Sequence, residues 1–223
     1  MERSGGPGQN SRMAKPLIAQ FIFSLIFLGI MGLGLYAGWR NLRQRQRAWA
    51  TFAEQHGLTL HSTEVMSLPH ITGSYEGQQL ELQVEQRGSG KNRTYVTVLH
   101  LDVIDAVSES LSLEREGLGD KILKVFGRND EEIGDDDFDR YFDLKNLDPE
   151  SATLLRHPDV QQHLFTVAKT YHHFDIRQGL LSVEKRTVPM SPEALESFVQ
   201  PAIALAQALR SPSRDSSRRR ATS

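Results

Sequence analysis

Two hydrophobic patterns divide the chain. From Pro16 to Trp39, 24 residues pass without a charge, PLIAQFIFSLIFLGIMGLGLYAGW. As a helix this run would be about 36 Å long, enough to cross a hydrocarbon core of about 30 Å with some tilt. Only Gln20 and Ser24 are strongly polar within it, and Tyr36 and Trp39 sit at its end, where amphipathic rings favour headgroups. The pattern predicts one transmembrane helix over 16–39. Residues 40–57 continue it as a juxtamembrane helix. Trp49, Phe52 and Ala53 follow i, i+3, i+4 spacing, which predicts a face docked on a folded domain, and Gly57 is a natural stop.

The second pattern is shorter in period. Leu80, Leu82 and Val84 alternate with Glu81, Gln83 and Glu85, the mark of a strand with one wet face. Tyr95 to Val103 is apolar on both faces and reads as a central strand, joined to the first through the loop Arg87–Asn92. Leu58–Leu60, His70–Tyr75 and Leu111–Arg115 read as further strands, and Gly119–Phe126 as a short helix. Asp148-Pro149 and His157-Pro158 each open a helix, the second burying Val160, Leu164 and Val167. Phe174 and Ile176 turn at Gln178-Gly179 into Leu181 and Val183, a hairpin. Ser191-Pro192-Glu193 opens a last helix with Leu195, Phe198, Val199, Ile203, Ala206 and Leu209 on one side; Pro201 is expected to kink or split it. These elements predict an α+β domain with a mainly antiparallel sheet and flanking helices over 48–210.

Charge sharpens the division. Residues 1–47 hold seven Lys/Arg and one acid, a charge of +6; the tail 211–223 carries +3; the 15 basic and 26 acidic residues of 48–210 give −11. The acidic domain argues against nucleic acid as a partner, because phosphate neutralisation needs a basic face. The Gly/Ser/Pro/Arg-rich ends, 1–15 and 211–223, hold too few apolar side chains to offset the entropy of ordering, and are expected to be disordered. Four arginines within eight residues after the apolar run outweigh Arg12 and Lys15 before it. That asymmetry favours a cytoplasmic C-terminal domain on a cell inner membrane. A cleaved signal peptide is the competing reading, but the apolar run exceeds the usual 7–15 residues and lacks an A-x-A site. Gly34 and Gly38 form a G-x-x-x-G pair, which lets two helices approach closely in lipid and implies a homodimer.

Candidate chemistry is sparse. The chain has no cysteine, which excludes disulfides, thiol catalysis and cysteine-based zinc sites. Asn129–Asp143, NDEEIGDDDFDRYFD, is its densest acidic segment. Oxygen donors suit Ca²⁺ or Mg²⁺, with Asp135, Asp137 and Asp139 as candidate ligands, but the EF-hand pattern is absent. The simpler expectation is a solvated acidic turn at Gly134-Asp135 leading into an element pinned by Phe138 and Phe142. Eight histidines include no H-E-x-x-H; His172 and His173, adjacent on an expected strand, point to opposite faces. His61, His70 and His100 lie in separate strand regions and would converge only through tertiary structure. G-x-S-x-G, a P-loop and a full G-x-G-x-x-G are all absent, and no residue is singled out as catalytic or cofactor-binding.

Ser110 to Leu144 resembles a segment of uncharacterised bacterial single-span membrane proteins with the cadence S-L-x-x-E-G, then F-G, then I-G-D-x-x-F-D-x-x-F. The resemblance implies a membrane-anchored domain and carries no activity. Together these features point to a non-catalytic interaction or accessory domain whose partners are the bilayer and another protein. A divalent-metal hydrolase using the 130–143 carboxylates and a membrane-tethered small-ligand sensor are the alternatives.

Overall fold

The computed structural model describes residues 10–61, 67–115, 133 and 136–221, with side chains for 23–61, 67–115, 133, 138 and 140–211. The chain divides into two units, Met1–Gln44 and Arg45–Ser223. The first unit is helical from Asn10 onward, within helix α1 (Asn10–Gln55). Its apolar side chains from Phe23 to Trp39 are exposed, and this helix is long and apolar enough to cross a membrane.

The second unit begins with the last turns of α1 and adds one eight-stranded, wholly antiparallel sheet. In chain order the strands are β1 (Thr59–Leu60), β2 (His70–Tyr75), β3 (Gln78–Arg87), β4 (Thr94–Asp102), β5 (Ser112–Arg115), β6 (Phe142–Lys145), β7 (His173–Arg177) and β8 (Leu180–Lys185). The helices are α2 (Asp136–Tyr141), α3 (Pro149–Leu155), α4 (Pro158–Thr170) and α5 (Pro192–Ala221). The spatial order is β1-β2-β3-β4-β8-β7-β5-β6. The first four strands form a meander, and β8 returns across the sheet to pair with β4.

Local sequence sets the joints. Helix α1 stops at Gly57, φ +65°, where Leu58 N–H reaches Ala53 O at 2.8 Å and Gly57 N–H reaches Glu54 O at 3.4 Å, a Schellman closure. The β2–β3 and β7–β8 hairpins have two-residue loops, Glu76-Gly77 and Gln178-Gly179, all four residues at positive φ. That is the type I′ geometry matched to strand twist. A Cβ on Gly179 would lie 2.7 Å from Ile104 Cβ, so glycine is required there for space as well as for φ. Asp148 caps α3, accepting from Glu150 N–H and Ser151 N–H at 3.0 and 2.9 Å.

One sheet face carries the core. Ile71, Leu80, Leu82, Leu99, Leu101, Leu113, Leu144, Phe174, Ile176, Leu181 and Val183 are buried there in one cluster with residues of α3, α4 and α5. Trp49 and Phe52, both fully buried, enter the same cluster from α1. The Trp49 indole N–H donates to Pro189 O at 3.2 Å, which meets its polar requirement inside the core. Phe138 and Phe142 are buried with ring centroids 4.5 Å apart, and the second stacks on through Phe174.

Several expectations change. Helix α5 is not split at Pro201; the missing N–H removes one bond, and the face from Leu195 to Leu209 holds the helix to the core on both sides of it. Helical backbone begins at Asn10 in α1 and runs to Ala221 in α5. Once a helix is nucleated, each added residue gains a bond at small cost. After α2 the chain enters strand β6, where only an unspecified element was expected; four residues are too few for alternation to announce it. The expected Gly119–Phe126 helix and the Gly134-Asp135 turn lie outside the described residues.

Truncating Phe52 to alanine should destabilise the second unit by about 3–5 kcal/mol, whereas Tyr95→Ala, at an exposed position, should change stability by about 0.5 kcal/mol or less. Urea denaturation of the full chain in mild detergent checks both; equal effects would contradict this core.

Candidate functional site

The opposite face of the sheet has no helix layer among the described elements, and its residues are mostly polar, with Val96 and Val98 buried among them. Strand register places Thr72, Glu81, His100, Ser182, Asp175, Glu114 and Asp143 in one row across seven strands. A parallel row holds His70, Gln83, Val98, Glu184 and His173. The charges on this face are paired. Arg87 reaches Glu184 at 2.7 Å and Glu85 at 2.9 Å; Arg177 reaches Glu114 at 2.5 Å; Lys145 reaches Asp143 at 3.0 Å. Cross-strand pairs of opposite charge favour this register.

Four histidines share this face. His61 and His70 lie side by side, ring centroids 4.9 Å apart, and His61 Nε2 is 2.6 Å from Thr72 Oγ1. His70 Nε2 is 2.9 Å from Glu81 Oε1. His100 stands between Glu81 and Ser182, and His173 bonds Asp175 at 3.1 Å. The hydrogen bond to Asp175, ahead of the opposing effect of burial, raises the His173 pKa above its ordinary 6.5. His100 Nδ1 and Asp143 Oδ1 are buried without a hydrogen-bond partner among the described residues. Four strand spacings separate their positions, roughly 19 Å, so they do not form one centre.

A second polar assembly ties three elements together. Tyr75 Oη donates to Glu196 Oε1 at 2.6 Å, His56 Nε2 lies 3.1 Å from Glu196 Oε2, and Gln200 Nε2 donates to Tyr75 Oη, Glu76 Oε1 and Glu196 Oε1 at 2.8–3.2 Å. It joins the end of α1 to the β2–β3 turn and α5. Burial and the bond to Glu196 push the Tyr75 hydroxyl pKa far up, so it serves as a donor and is a poor nucleophile at neutral pH. Glu196 pays desolvation, but its bonds from Tyr75 and Gln200 and the nearby His56 bring its pKa below the ordinary carboxylate value. No local pattern announces this network, whose members run from His56 to Gln200.

A cleft of about 500 Å³ runs between α4 and α5, lined by His157, Asp159, His163, Ala204, Gln207, Ala208 and Ser211. His157, Asp159, Gln207 and Ser211 are exposed, and His157 Nδ1 is 3.9 Å from Asp159 Oδ2.

The candidate residues from the sequence are distributed as follows. Phe138 and Phe142 are buried together, as their spacing implied. Gly134 and Asp135 lie outside the described residues. Asp137 and Asp139 belong to α2, their side chains outside the description. Among the described residues no group of three or more His, Asp or Glu is placed to hold a metal ion. Gly34 and Gly38 sit on α1 with open space where a Cβ would project. His172 precedes β7, and its Nδ1 lies 2.9 Å from Glu184 O. No family model, curated protein or solved structure matches the chain.

The pair on the polar face has a definite pH signature. Because the folded pKa of His173 is raised, its contribution to stability is complete below about 6.5 and lost as pH rises through the folded value. A proton-resolved NMR titration should find His173 titrating above 6.5, and an Asp175→Asn variant should bring it down. Titration at or below the ordinary value in the parent chain would contradict the pairing.

Proposed function

We propose that the chain is a membrane-anchored, non-catalytic interaction module: α1 anchors it in a bilayer, and the polar face of the sheet docks a protein partner. The observation that carries this reading is that second sheet face, which no described helix covers and which presents Glu81, Glu85, Asp175, Glu114 and Glu184 among three fixed cations and four histidines. Such a surface offers charge and hydrogen-bond specificity to a partner and little apolar area for lipid. The arginines after the apolar run favour the cytoplasmic side of a bacterial inner membrane for the module, and Gly34 with Gly38 supports a homodimer through the anchor.

Neither alternative gains an observation. The hydrolase reading rests on Asp135, Asp137 and Asp139, for which no ligand geometry is described. The sensor reading asks for a deep apolar pocket with convergent polar groups, whereas the α4–α5 cleft is lined largely by exposed polar side chains.

The test is purification from native membranes in mild detergents. A stoichiometric protein partner is expected, and it should be lost from a Glu81→Lys, Glu114→Lys variant that retains the parent's unfolding midpoint. Recovery of the parent chain alone would overturn the reading. A Gly34→Ile, Gly38→Ile variant that self-associates like the parent would remove the dimer.

A further inference from the structure

The region around the end of the apolar run holds positive charge that no described carboxylate neutralises. From Arg3 to Ala53 the sequence contains no acid, yet it contains seven Lys/Arg. Arg40 and Arg43 fall three residues apart on α1, hence on one face, and both are exposed. Neither has a carboxylate partner among the described residues. The contrast is with Arg87, Arg177 and Arg210, each held 2.5–2.7 Å from a carboxylate oxygen.

Arg43 is held instead by an aromatic ring. Its guanidinium carbon lies 3.6 Å from the ring centroid of Trp39, one helical turn back. A cation–π contact uses the face of the guanidinium and does not consume its N–H donors. Trp39 is the last residue of the uncharged run and is 45% exposed. An interfacial tryptophan with an arginine stacked on it joins a ring suited to the acyl–headgroup boundary to a donor array suited to phosphate oxygens.

We infer that Arg40 and Arg43, the latter seated on Trp39, bind the headgroups of anionic phospholipid in the leaflet at the C-terminal end of the span. The inference rests on the membrane reading of α1. Lipid is the occupant because the site adjoins the apolar run, and the anionic class follows from two unneutralised cations with no acid nearby in sequence. Each arginine near an anionic surface adds about fivefold to such a preference.

The experiment uses the full chain in vesicles of equimolar phosphatidylcholine and phosphatidylglycerol, with bromine on the acyl chains of one lipid or the other. Bromine quenches tryptophan at contact, and the chain has two tryptophans, of which Trp49 is fully buried in the second unit. A Trp39→Phe variant supplies the Trp49 background. Brominated phosphatidylglycerol should quench Trp39 with an apparent preference of at least about fivefold over brominated phosphatidylcholine. The preference should shrink in ~1 M salt, where the Debye length is about 3 Å, and should vanish in Arg40→Gln, Arg43→Gln. Equal quenching by both lipids in the parent chain would overturn this inference while leaving the membrane reading intact. No quenching by either would overturn the membrane reading and this inference with it.

Discussion

Trp49 and Phe52 commit the last turns of α1 to the core of the second unit. Both side chains are fully buried, and the indole N–H bonds the carbonyl of Pro189, in the connection that leads into α5. Around them the end of α1 is fastened twice more. The Schellman closure at Gly57 turns the chain directly into β1, and His56 reaches Glu196 on α5. The domain therefore uses part of a helix that begins as an apolar, exposed segment. Removing those turns takes a large aromatic pair out of the core, which is why the boundary between units falls before Trp49 and not at the end of the helix.

The sheet solves a different problem. One face is apolar and covered by helices; the other is mostly polar and charged. Antiparallel sheets tolerate this division because alternate side chains point to opposite faces. This face is not a loose scatter of charge: Arg87 on β3 reaches past β4 to Glu184 on β8, Arg177 reaches Glu114 on the neighbouring strand, and Lys145 reaches Asp143 on its own. The cations of these pairs are exposed, so the pairs add little stability individually. Their effect is on specificity, since a one-residue slip would place charges in the core and apolar residues in water.

Much of this architecture was legible from spacing. The alternation of Leu80, Leu82 and Val84, the Gln178-Gly179 turn, the Asp148-Pro149 cap and the Trp49/Phe52 face each express a local rule, and each local rule agrees with the fold. Strand β6 was not legible, because Phe142 and Leu144 alone cannot establish a period. The His56–Tyr75–Glu196–Gln200 network was not legible either, since nothing local links residues more than a hundred positions apart. The histidines are an intermediate case. His61, His70 and His100 each fell in or beside an expected strand, but only the pairing of β1 to β4 puts them on one face. The acidic 130–143 segment drew attention by composition, yet its described part contributes Phe138 and Phe142 to the core.

The absence of cysteine makes the central claim, that α1 passes from lipid to protein core, open to a clean spin-label scan. Single cysteines at Ile30, Asn41 and Phe52 would carry a nitroxide in vesicle-reconstituted chain, and collision with oxygen or with a water-soluble nickel chelate would be measured. The account predicts oxygen access at position 30, chelate access at 41, and protection from both at 52. Chelate access at 30, or free access at 52, would contradict it.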